Sequence, residues 1–199
     1  MTGDSDADMR LLTLALMGEF AKVQDVIDAL VGMYFERRTP GLQWYLKQKG
    51  VPARISDTDR PRLVSSIAED LGTTGDLTNF RTTFERVKRV RDYAGHSVRI
   101  EMLDSDTILL KKQFVESAEA KLDPPVTVTR AELASHHRDV LWMLNHVQYI
   151  IGSSDLTVKT YLGDREIQAL APPANPEDWN EIGYVFVDEQ TVTSTSAER

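Results

Sequence analysis

The sequence predicts an all-α fold, an antiparallel helical bundle with a small β-hairpin insertion and an acidic C-terminal tail. Three observations predict it. Long stretches carry apolar residues in steps of three and four, the helical period; helix breakers fall between these stretches; and acidic residues gather late in the chain. The length of 199 residues and a hydrophobic content of 41% suit one domain with a real core plus an appendage. We place the helical domain at residues 1–152, with the hairpin at about 98–113, and a partly disordered acidic extension at 153–199.

The first helix is read from Met9, Leu12, Leu16, Phe20, Val23, Ile27, Leu30 and Tyr34, one stripe that ends where Thr39, Pro40 and Gly41 break the helical pattern. A shorter helix follows over 42–49. The next starts near Asp59, with its side chain as cap and Pro61 in the first turn, and stops at Gly72. A helix from about Asp76 to Ser97 carries Leu77, Phe80, Phe84 and Val87. Alternation at Val98, Ile100 and Met102, an Asp104-Ser105-Asp106 turn and Thr107 to Leu110 then predict the hairpin.

Thr129 and Glu132 form a capping box for the last long helix, whose stripe is Leu133, His137, Val140, Leu144, Val147 and Ile151. Gly152 ends it. From Asp164 onward there are eight acids and two bases. Ala171 to Pro176 reads as a stiff linker, Tyr184 to Val187 as an isolated strand and Thr191 to Ser196 as a disordered end.

Composition narrows the function classes. A formal net charge of −8 disfavours unspecific attraction to nucleic acid or to anionic membranes. The absence of cysteine excludes disulfides, thiolate nucleophiles and cysteine-based metal centres. No apolar run approaches the roughly 18 residues of a membrane span. Asp4, Asp6 and Asp8 stand where a secretory signal carries Lys or Arg, so the expected location is the cytoplasm. His136, His137 and His146 lack the carboxylate that would complete a metal site; no metal and no cofactor are expected, and His137 is read as a buried member of its stripe. Trp44, Tyr45, Trp142 and Tyr149 are read as core and interface aromatics.

The chemistry falls on the Leu77 to Ser97 helix. Asp92 and His96, four residues apart, share a face, so the carboxylate can orient the imidazole. Arg91 lies in the apolar sector, and an ideal helix separates it from His96 by about 140°. An imidazole and a guanidinium suit phosphoryl chemistry, the first moving a proton and the second binding phosphate oxygens. Residues 81–99 hold six bases against two acids, and Arg86, Lys88, Arg89 and Arg99 are the candidate RNA contacts.

The run Arg91-Asp92-Tyr93-Ala94-Gly95-His96 resembles the signature of the HEPN superfamily, an arginine followed by a polar residue and closed by a histidine. The resemblance implies a HEPN-like bundle that dimerises with its motifs facing. It also implies a metal-independent endoribonuclease that leaves a 2′,3′-cyclic phosphate, acting in toxin–antitoxin or antiphage defence beside an antitoxin or another defence-system protein. Carried over by position, Arg91 holds the scissile phosphate, His96 is the general acid/base and Asp92 orients it. Two alternatives stand beside this reading: a catalytically inactive HEPN-type dimeric interaction module, and an unrelated helical adaptor. The expected partners are RNA and a second copy of the chain, with no membrane.

Overall fold

The computed structural model describes residues 3–39, 55–73, 75–97, 99–112, 124–156, 160–162 and 165–187. The expected helix over 42–49, Trp44, Tyr45 and the end from Thr191 to Ser196 lie outside the described residues. The elements run α1 (Gly3–Arg38), α2 (Arg60–Asp70), α3 (Phe80–His96), β1 (Arg99–Met102), β2 (Thr107–Lys111), β3 (Val126–Thr129), α4 (Arg130–Ser153), β4 (Thr160–Leu162), β5 (Arg165–Ala169) and β6 (Tyr184–Val187).

The all-α expectation does not hold. Two three-stranded antiparallel sheets, in the orders β1-β2-β3 and β4-β5-β6, stand beside the helices, so the fold is mixed and is not a HEPN-like helical bundle with one hairpin and an acidic tail. The hairpin is present, pairing Arg99 with Lys111 and Met102 with Ile108. Its outer neighbour β3 was hidden because Thr129 is both the last strand residue and the cap of α4. Val126, Thr127, Val128 and Thr129 are all β-branched, which suits a pleated strand.

The chain divides into two compact units, Met1–Val23 with Thr82–Leu141, and Gln24–Arg81 with Trp142–Arg199. In the first, Met9, Leu16, Phe20 and Val23 of α1, Phe84, Val87 and Val90 of α3, and Leu133 and Val140 of α4 are buried together with Ile108, Leu110 and Val128 of the sheet. Thr13 takes the buried place expected for Leu12, and its hydroxyl donates to the Met9 carbonyl at 2.8 Å, which satisfies it without a tertiary partner. The capping box of α4 forms as expected: the Thr129 N–H donates to Glu132 at 2.7 Å and the Glu132 N–H to the Thr129 hydroxyl at 3.2 Å. The Thr129 N–H and hydroxyl, both donating to the Glu132 carboxylate, hold it below the usual carboxylate range.

In the second unit, α2 closes at Gly72, whose φ of 65° is the left-handed conformation that ends a helix. Asp59 precedes α2 without capping it, since its carboxylate accepts from the Ser56 hydroxyl at 2.6 Å. Arg60 is buried, and its guanidinium donates to Asp28 at 2.9 and 3.0 Å and to Asp57 at 2.7 Å. The expected linker is docked: Pro172 and Pro176 are buried, and the Pro173 carbonyl accepts from the Trp142 indole at 2.9 Å. Tyr184–Val187 is no isolated strand but pairs with β5, Ala169 opposite Tyr184 and Glu166 opposite Val187.

Candidate functional site

Helix α3 has no Gly or Pro until Gly95, and in the first unit it buries Thr83, Phe84, Val87, Val90 and Ala94. That face turns the opposite line of residues outward. Thr82, Glu85, Arg86, Arg89 and His96 are exposed. Seven residues turn an ideal helix to within about 20° of two full turns, so Arg89 and His96 stand on one line about 10 Å apart along the axis.

Arg91 points elsewhere. Its guanidinium carbon lies 4.9 Å from the centroid of the Phe20 ring, and its side chain is half-buried. Val90 and Ala94 continue the apolar stripe while Arg91 extends along the protein surface of α1, a placement in which the methylene stem is buried and the cation rests on an aromatic face. Asp92 is taken by Lys88 at 2.5 Å and by Arg91 at 3.3 Å, and not by His96. The expected orienting bond from Asp92 to the imidazole is therefore absent, because a lysine one turn earlier competes for the same carboxylate. The three motif residues are near one another in the chain but are not assembled into one cluster.

The candidate RNA contacts separate in the same way. Arg86 makes two-pronged bonds of 2.8 to 3.1 Å to Asp139 of α4, a carboxylate only 3% exposed. The His136 Nδ1 lies 3.4 Å from the same carboxylate. Lys88 is tied to Asp92, Arg89 is exposed, and the Arg99 side chain lies outside the described residues. Lys112, which the sequence reading did not single out, sits 4.1 Å above the Tyr93 ring, next to the motif. Tyr93 is fixed by its hydroxyl, which donates to the Pro124 carbonyl at 3.2 Å.

The histidines of α4 also differ from expectation. His136 and His146 are buried and His137 is exposed, where it pairs with Glu19 of α1. His146 packs edge-on to Trp142, with ring centroids 4.3 Å apart, and burial pushes its pKa down to about 4. Among the described residues, no group of three or more His, Asp or Glu side chains is placed to hold a metal ion, and no helix is long and apolar enough to cross a membrane.

No protein-family model, no curated protein and no solved structure matches the chain.

Proposed function

We propose that the chain is a metal-independent endoribonuclease that works on the outer face of α3. The observation that supports this reading is the exposed His96 in line with the exposed Arg89, at the end of a helix rich in basic residues. His96 removes the ribose 2′-hydroxyl proton, the 2′-oxygen attacks phosphorus, and the bond to the 5′-oxygen breaks. The departing oxygen takes a proton from solvent. The products are a 2′,3′-cyclic phosphate and a 5′-hydroxyl.

The roles differ from those the resemblance implies. The exposed Arg89 makes the phosphate contact, and Arg91 positions the motif by resting on Phe20 and holding Asp92. The defence setting belongs to the same reading, because an unrestrained ribonuclease arrests its host. In EDTA the purified protein cleaves single-stranded RNA, and His96→Ala slows cleavage about 10²- to 10⁴-fold without lowering the melting temperature. RNA left intact under these conditions contradicts the proposal.

A second reading is favoured by one observation, the packing of Arg91 on Phe20. On it the motif is structural and the chain is a catalytically silent interaction module. That reading predicts the loss of stability in Arg91→Ala with no cleavage by any form of the protein.

A further inference from the structure

Helix α1 is apolar on two sides. Met9, Leu16, Phe20 and Val23 face inward, but a second stripe of Ala7, Leu11, Leu14, Gly18 and Ala21 runs along the exposed side. Its steps are four, three, four and three residues, the spacing of the seam between two packed helices. Leu11 is 65% exposed and Leu14 62%, and a Cβ placed on Gly18 would meet nothing within 4 Å. Single surface leucines need no explanation, whereas a regular stripe does.

We propose that this stripe is a self-association surface, on which α1 of a second copy lies antiparallel. A two-fold axis beside Leu16 seats Leu14 of one copy over Gly18 of the other and Leu11 over Ala21, and the symmetry makes each match twice. Each leucine meets a small residue of the other copy. The same register brings the exposed Asp8 beside Lys22 of the second copy, an opposite-charge pair on the flank. Asp8 also lies 3.5 Å from Arg130, yet 65% of its side chain remains exposed, so a second cation has access to it. A parallel pair would set Asp8 against Asp8 and leucine against leucine, with Gly18 opposite Gly18 and a gap between them. Charge and shape both favour the antiparallel arrangement.

The stripe spans about four turns, or roughly 22 Å. Such a strip is at the small end of specific interfaces, so the association is a weak one. Its position matters for α3. Met17, on the flank of the stripe close to the axis, reaches Gly95: a Cβ there would lie 3.4 Å from the Met17 methyl carbon. The His96 ends of the two α3 helices consequently lie on the same side of the helix pair, next to the axis. Ala94 of the motif is buried within its own unit and takes no part in the seam. The self-association itself involves α1 alone and does not rest on the ribonuclease reading.

The absence of cysteine makes single-cysteine variants clean reporters. Ala15 lies next to the axis, so Ala15→Cys should cross-link to itself with a short bis-maleimide. Lys22→Cys should not, because its two copies are about 18 Å apart in this register. A mixture of Asp8→Cys and Lys22→Cys should give the mixed dimer. Leu14→Glu, at an exposed position, should sediment as a monomer with an unchanged circular dichroism spectrum. Wild-type protein that remains monomeric at about 100 µM overturns the proposal, and so does an Ala15→Cys variant that forms no cross-linked dimer. Self-cross-linking of Lys22→Cys as efficient as that of Ala15→Cys overturns the antiparallel register, and Ala15→Cys dimers that persist in Leu14→Glu overturn the stripe as their cause.

Discussion

The guanidinium of Arg91 rests on the ring of Phe20, 4.9 Å from its centroid, while His96 of the same motif stands in solvent. The two residues therefore answer to different forces. Arg91→Ala removes a cation–π contact and a packed stem and should cost about 1–2 kcal/mol. His96→Ala removes nothing from the core and should leave stability unchanged. Urea denaturation of both variants separates the positioning residue from the reacting one; equal losses would contradict this division.

The ion pairing on α3 predicts unequal contributions to RNA binding. Arg89→Ala should weaken binding uniformly across sequences and reduce the salt slope by about 1. Arg86→Ala should leave the slope unchanged, because Asp139 already neutralises that guanidinium. Filter binding over a series of salt concentrations measures both, and equal slopes for the two variants would contradict the assignment.

Asp139 is buried between two partners, Arg86 and His136. Asp139→Ala should destabilise the protein by about 3 kcal/mol, the low end for breaking a buried pair, because Arg86 can turn to water. Thermal denaturation at neutral pH reports it. A loss below about 1 kcal/mol would mean that the pair behaves as a surface one.

His146 predicts a pH dependence. Burial lowers its pKa from 6.5 to about 4, against smaller opposing effects of the Pro173 carbonyl and Asp76. At neutral pH the imidazole is uncharged in both folded and unfolded chains and contributes no dependence. As pH falls from 6.5 towards 4 the unfolded chain takes up a proton that the folded chain resists, and stability declines by up to about 3 kcal/mol. The carboxylates with lowered pKa values act elsewhere: Asp70, held down by the Tyr34 hydroxyl and by Arg38, loses its contribution below the ordinary carboxylate range. His146→Leu should flatten the melting temperature between pH 6.5 and 4. An unchanged slope in that variant would contradict the assignment.

Much of the helical frame was legible. Helices α1 and α3 follow from periodicity, α2 was bounded by Pro61 and Gly72 although Asp59 does not cap it, and the capping box of Thr129 and Glu132 located the start of α4. The phase of α4 was not legible, because Leu133, Val140 and Val147 fit two stripes equally well. Packing selects the one through His136, Met143 and Ile150, which turns His137 out to Glu19. The second sheet was legible only through β6, because β4 is three residues long and β5 mixes Arg165 and Glu166 with its apolar residues, so neither shows as a partner for Tyr184–Val187. At the candidate site, Arg91, Asp92 and His96 are visible as a motif. The alignment of Arg89 with His96 follows from helix geometry once the buried face is known, and the claim of Lys88 on Asp92 is a competition between neighbours that spacing alone does not resolve.

The central claim is that His96 performs chemistry on RNA, and the ends of the RNA products test it most directly. Wild-type protein incubated with RNA in EDTA should generate fragments with 2′,3′-cyclic phosphate and 5′-hydroxyl termini, and His96→Ala should generate almost none. Fragments with 5′-phosphates, cleavage that persists in His96→Ala, or no fragments at all would contradict it.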